Sequence, residues 1–186
     1  MKSKLIVEFL KQLPENVREY ICQDVMRWSS ILNYEHADAF EAFYNTRQEF
    51  RSVIRYRARI AEKIFAKPGI LNRIIQIHGN SPSAWVSNLY LSCQDIGPGL
   101  YIEHGFSTII FAKSIGRNFY VNQNVTIGTG KGGNPTICDN VRVGANSIII
   151  GDILVPNGVK VGAGAVLNFE VPENSTVVSQ RARVIS

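Results

Sequence analysis

A chain of 186 residues suits one domain, or one with a small appendage, and is long enough to bury a substantial core. Its hydrophobic share of 45%, with 19% charged residues, excludes a low-complexity or disordered chain. The net charge of +5 is placed early: residues 1–80 hold 13 Lys and Arg against 9 Asp and Glu, while residues 81–186 hold 7 against 6.

The first segment, MKSKLIVEFLKQLPENV, has an apolar run broken by Glu8 and Lys11, too short and too charged for a secretory signal. No stretch reaches the length of a transmembrane helix, so the expected location is cytoplasmic. Helices are predicted near 3–12, 15–32, 37–66 and 70–77. Pro14 suits a helix start, and Pro68-Gly69 ends the long one. Within 37–66, Phe50, Val53, Ile54, Ala61, Ile64 and Phe65 recur near a 3.6-residue period and mark one buried face. The basic excess gathers in RQEFRSVIRYRAR, residues 47–59. A solvated helix face is the ordinary reading of such a run; its functional reading is attraction to an anionic surface, including peripheral membrane association. No nucleic-acid-binding motif accompanies it, and nucleic acid is not an expected partner. Cys22, Cys93 and Cys138 have neither paired spacing nor a histidine nearby in sequence, so reduced thiols are expected and no metal site is.

After residue 95 the pattern changes to a six-residue step. It runs IGPGLY, IEHGFS and, after an extra residue, IFAKSI; from Ile137 it holds without a break through ICDNVR, VGANSI, IIGDIL, VPNGVK, VGAGAV and LNFEVP. The first position of each unit is Ile, Val or Leu, and the fifth is mostly small or aliphatic: Val141, Ser147, Ile153, Val159, Ala165, Val171. A unit this short cannot bury its apolar residue alone and does so by stacking on its neighbours, which makes a solenoid. Glycine and asparagine supply the backbone angles of the corners. The open sheet edge at one end is a place for the helical segment to cap, and the C-terminal tail is a cover for the other.

The hexapeptide pattern resembles the left-handed β-helix acyltransferases. Within them, DIGPGLYIEHG, NVTIGTGKGG and VGAGAVLNFEVPENSTVV resemble the serine acetyltransferase branch, which includes O-acetyltransferases of polysaccharide clusters. The resemblance covers residues 85–186 closely and the helical part only loosely. It implies an α+β chain with an α-helical subdomain over 1–84, then a left-handed parallel β-helix with a short C-terminal tail over 85–186. It also implies a homotrimer, with acetyl-CoA bound as co-substrate between subunits.

His104, in GLYIEHG, matches the family's catalytic histidine. The chemistry needs a base near neutral pKa, because a hydroxyl attacks a thioester poorly until its proton is taken. Such a base needs an orienting partner for its other ring nitrogen. The aspartate that serves in the family is Leu89 here, which leaves Asp95, Glu103 or a backbone carbonyl for that role. The loop IGTGKGGNP places ten residues between Ile127 and Ile137, and its glycines let backbone N–H groups approach a ligand. For the cofactor, the resemblance implies a pantetheine path past Gly128, Gly130, Ala145 and Ala163, with Lys131, Lys160 and Arg183 as phosphate contacts.

The acceptor pocket departs from the family's serine site. An Arg-His-Pro stretch is replaced by GKGGNP, with Asn134 in the histidine's place, and Glu103 stands for an aspartate. A carboxylate needs cationic donors, whereas sugar hydroxyls suit Glu103, Asn122 and Asn134. The expected function is therefore acetyl transfer to a saccharide hydroxyl in capsule, O-antigen or exopolysaccharide synthesis. The alternatives are serine O-acetylation in cysteine synthesis and, in another class, a non-catalytic solenoid scaffold.

Overall fold

The computed structural model describes residues 8, 10–65, 86–180 and 184. Helix α1 (Glu15–Leu32) begins behind Pro14, whose missing N–H is no loss at a helix start, and ends at Asn33 in the left-handed conformation, φ 51°. The long helix expected over 37–66 is two: α2 (Ala39–Thr46) and α3 (Gln48–Phe65). Arg47 between them is extended, and the Thr46 hydroxyl bonds back to the Ala42 carbonyl, a local bond that competes with helix continuation. The break lets Phe43 and Phe50 reach Trp28 from two sides, with ring centroids 6.1 and 5.2 Å away. Phe50, Val53, Ile54 and Ala61 form the buried face that their spacing predicts. The side chains of Ile64 and Phe65, the expected helix over 70–77 and most of that over 3–12 lie outside the described residues.

Beyond residue 86 the chain winds as a left-handed parallel β-helix of about five turns. Face A stacks β1 (Tyr90–Leu91), β3 (Ile109–Ile110), β6 (Thr126–Gly128), β9 (Ile148–Ile150) and β12 (Val166–Leu167). Face B stacks β4 (Ser114–Ile115), β7 (Thr136–Ile137) and β10 (Leu154–Val155), with Ile96 bridged to Ile115 below them. Face C stacks β2 (Tyr101–Ile102), β5 (Tyr120–Val121), β8 (Arg142–Val143), β11 (Lys160–Val161) and β13 (Thr176–Val177). Arg142 pairs with Lys160 and Ile148 with Val166, so a regular coil is three hexapeptides long. The first position of each unit points inward: Ile137, Val143, Ile149, Val155, Val161 and Leu167 are all buried. The corners between faces B and C carry Asn118, Asn140 and Asn174 at left-handed φ. They are tied coil to coil by bonds such as Asn118 Nδ2 to Asn140 Oδ1 at 3.0 Å and Asp139 N–H to Asn157 Oδ1 at 3.0 Å.

The helices close the first coil, as the exposed sheet edge requires. Asp24 and Arg57 form a buried pair at 2.9 Å, at 0% and 4% side-chain exposure. Asp24 Oδ1 also accepts the N–H groups of Gly99 and Leu100, and Arg57 donates to the carbonyls of Ile96 and Gly97. Burial pushes the Asp24 carboxyl up, while Arg57 and the two N–H groups oppose that shift by favouring the charged form. The Trp28 indole N–H donates to Leu100 O at 2.9 Å, and the Tyr56 hydroxyl to Cys93 O at 3.1 Å. This corrects the reading of residues 47–59 as one solvated basic face: Arg57 is consumed in the junction, Arg59 donates to Leu91 O, and Arg51 to Tyr44 O. Among the described residues, no helix is long and apolar enough to cross a membrane, and no cluster of ligating side chains could hold a metal.

Candidate active site

His104 follows β2 at the corner between faces C and A, and its side chain is exposed. This corner is wider than those above it. Ile102 to Ile110 spans eight positions, where Val143 to Ile149 spans six. The extra length is turned by left-handed backbone at His104 (φ 64°), Gly105 (φ 58°) and Ser107 (φ 53°). A side chain at Gly105 would place Cβ 2.3 Å from Ile102 Cγ2, so glycine is required there. A non-glycine residue in this region is uncommon, and such backbone gathers at functional sites. Nothing in the sequence marks that conformation beyond the lengthened step.

Among the described residues, the His104 imidazole has no hydrogen bond or ion pair within the chain. Leu89, where the serine acetyltransferases it resembles have an aspartate, lies just before β1, beside the same corner, and packs on the core. Glu103 is half-buried, with its N–H tied to Val121 O. Asp95 does not share the corner: it is exposed, precedes Ile96 on face B, and its carbonyl accepts Ile115 N–H. Of the two carboxylates considered as orienters, only Glu103 adjoins His104.

Directly above His104 the corner continues through Asn122 and Gln123, then Ala145, then Ala163. The ties are Thr108 Oγ1 to Asn122 O, Asn146 N–H to Gln123 O, and Gly164 N–H to Ala145 O. Asn122, Ala145 and Ala163 therefore share one edge of the prism with His104, and the alanines leave that edge shallow. Gln123, which the sequence did not single out, holds a buried side-chain oxygen without a partner among the described residues.

The glycine loop occupies the other edge of face A. Gly130 and Gly133 exchange backbone bonds at 3.0 and 3.3 Å, and Lys131 O accepts Asp152 N–H from the next coil. Thr129 donates its hydroxyl to Asn134 Oδ1. A Cβ at Gly130 would come 2.7 Å from Gly151 N, so this glycine is needed for packing; one at the buried Gly128 would meet nothing within 4 Å, so packing within the chain does not demand glycine there. Within one chain, Gly128, Gly130, Lys131 and Asn134 are thus a full face away from His104. Lys160 projects from face C and is exposed. Arg183 lies outside the described residues.

The chain folds as a left-handed parallel β-helix of hexapeptide coils closed by helices, the class of fold that its six-residue step implies. Among its sequence relatives are serine acetyltransferases and an acetyltransferase named for colanic acid biosynthesis. The serine acetyltransferase of Synechococcus elongatus is 39% identical over 95 residues, covering 48% of this chain and 39% of that protein. WcaB of Escherichia coli K12, named for acetyl transfer in colanic acid biosynthesis, is 42% identical over 93 residues, covering 48% of this chain and 57% of that protein. The chain spans about half the length of the curated relatives it matches. Among solved structures, the Neisseria gonorrhoeae serine acetyltransferase in complex with serine superposes with a TM-score of 0.71 at 20% identity, covering 97% of this chain and 73% of that one. A serine acetyltransferase in complex with CoA gives 0.70 at 19% identity, covering 98% and 74%. That coverage takes in the helices as well as the coils, so the fold likeness is broader than the sequence motifs imply. No family model matches the chain.

Proposed function

We propose that the chain is an acetyl-CoA-dependent O-acetyltransferase with His104 as its general base. The observation that carries this is the lone exposed imidazole on a left-handed corner, below an edge kept shallow by Ala145 and Ala163. His104 takes the proton of the acceptor hydroxyl as its oxygen bonds to the thioester carbonyl carbon. The C–S bond then breaks, and the proton passes to the departing thiolate to give free CoA. Glu103 is the neighbouring carboxylate available to hold the imidazolium.

The relatives weigh toward L-serine as acceptor, the alternative to the saccharide reading, because serine acetyltransferases predominate among them. The saccharide reading stands second on two observations: the WcaB likeness, and a loop whose Asn134 is bonded to Thr129 where a cationic stretch would meet a carboxylate. The test is free-thiol release from acetyl-CoA with L-serine and with a panel of sugars, compared by kcat/KM. Efficient turnover with serine alone selects the first reading, and turnover with a sugar alone selects the second.

A homotrimer fits face A, whose outward side is largely apolar: Tyr90, Ile109, Phe111 and Val166 are exposed there, with Thr126 as a polar member of the row. A patch of this kind is a surface for association. Because His104 and the glycine loop border opposite edges of face A, packing copies through it would carry the loop of one subunit toward the His104 edge of the next. Gly128, Gly130 and Lys131 would then join Ala145 and Ala163 around one cofactor, whereas Lys160 projects from face C. Light scattering that finds a monomer active on acetyl-CoA overturns this arrangement.

A further inference from the structure

Face C carries a row of side chains that starts at the cap junction, with Trp28, and continues beyond it into groups that the proposed chemistry at His104 does not use. Trp28 packs against Tyr101 with centroids 4.5 Å apart and rings tilted by 46°, Tyr101 stacks on Tyr120 at 5.2 Å and 17°, and the Arg142 guanidinium sits 4.2 Å from the Tyr120 centroid. The next rung is Lys160, paired in register with Arg142 on the adjoining strand. Arg27, the residue before Trp28, approaches this row from α1, and its Nε is buried without a partner among the described residues. Burial first, and then the charge of Arg142, lower the Arg27 pKa, which puts the two guanidinium groups within each other's field.

Three cations are thus gathered on one face. Neither Arg27, Arg142 nor Lys160 forms an ion pair among the described residues. The carboxylates near the row, Glu49 and Glu103, stand at its Tyr101 end, together with Arg47. Like charges directly opposite one another on neighbouring strands are destabilising. A structure that holds Arg142 in place on an aromatic ring beside Lys160, and leaves a buried guanidinium N–H of Arg27 unmet, is organised to receive an anion. The row is longer than one strand spacing of about 4.8 Å, which suits an extended anion with two charged centres better than one carboxylate. Arg142 stands two coils above the His104 corner, about 10 Å away along the solenoid. An anion there would be set back from a hydroxyl reacting at His104 by about the size of a sugar.

We propose that face C binds the diphosphate of a diphosphate-linked sugar through Arg27, Arg142 and Lys160, with Tyr120 fixing Arg142. This rests on the saccharide reading of the acceptor. Two sources share the chemistry, a soluble nucleoside diphosphate sugar and a polyprenyl diphosphate sugar at a membrane surface.

The test is titration calorimetry on the full chain with pyrophosphate, UDP-glucose, farnesyl diphosphate in micelles, and CoA, for the wild type and Arg27→Gln/Arg142→Gln. Pyrophosphate is expected to bind the wild type and to weaken about tenfold or more in the variant, while CoA affinity stays within about twofold. Tighter binding of UDP-glucose than of farnesyl diphosphate identifies the nucleotide source, and the reverse identifies the lipid one. Displacement of pyrophosphate by CoA, with loss of CoA binding in the variant, would assign the cations to the cofactor and overturn the proposal. Absence of pyrophosphate binding with CoA still bound overturns it as well, and leaves the acetyltransferase reading intact. Pyrophosphate bound without CoA would retain the anion site and remove the acetyl-CoA reading. A change of oligomeric state in the variant, without pyrophosphate binding to the wild type, would assign the cations to a neighbouring subunit and overturn the proposal.

Discussion

The helical cap and the β-helix are stabilised by different means. The β-helix repeats one solution: an inward aliphatic per hexapeptide, in contact with its equivalent one coil away, and a corner turned by asparagine or glycine. No single residue dominates it. The cap meets the first coil through a few singular contacts, namely the Asp24–Arg57 pair, the bonds these make to the backbone of residues 96–100, and the Trp28 indole. The repeat distributes its stability and tolerates local change, whereas the junction concentrates it in buried polar groups that depend on one another.

The largest effect should therefore come from the junction. Asp24→Ala leaves Arg57 buried and unpaired, and strips the Gly99 and Leu100 N–H groups of their acceptor. A loss of about 3–5 kcal/mol is expected. In hydrogen exchange, the amides of α1 and α3 should lose protection while those of face A around β6 and β9 keep theirs. Equal loss in both regions would mean that cap and coils are a single cooperative unit.

Ile127→Ala tests the other side of the contrast. Ile127 is fully buried between Ile110 and Ile149. Its truncation should cost about 2–5 kcal/mol, lowering the denaturation midpoint of the coils and leaving the Trp28 fluorescence environment unchanged until they unfold. A shift in Trp28 emission under native conditions would show that the inner stack supports the cap as well. Lys113→Ala should have the smallest effect. Its ion pair with Asp152 is about half exposed on both sides, so a change within about 1 kcal/mol is expected in thermal unfolding. A larger change would show that the edge beside the glycine loop is more than a solvated surface.

The same contrast decides what could be read in advance. The six-residue register identifies the inward residues from Ile137 to Leu167 because every coil repeats the rule. The asparagines at 118, 140 and 146 mark corners, because left-handed backbone favours them. The junction follows no repeat. Arg57 sits in a basic run that resembles a wet helix face, and its partner Asp24 is 33 residues away, so no local pattern pairs them. At the site, His104 is legible by motif, but its left-handed backbone is not. The separation of Asp95 from His104 depends on which face each occupies, and the exclusion of Asp95 from the corner needs coordinates. The row of Trp28, Tyr101, Tyr120 and Arg142 is equally invisible, since its members lie in different coils and one in a helix.

The central claim is that His104 takes the proton of an acceptor hydroxyl during acetyl transfer. Its most direct test is the rate of thiol release from acetyl-CoA by wild type and His104→Ala, measured with L-serine and with sugars, alongside acetyl-CoA binding to both proteins. The expected result is acceptor-dependent release by the wild type and a fall of about a hundredfold or more in the variant, with acetyl-CoA bound equally well. A folded His104→Ala protein that binds acetyl-CoA and turns over near the wild-type rate would contradict it.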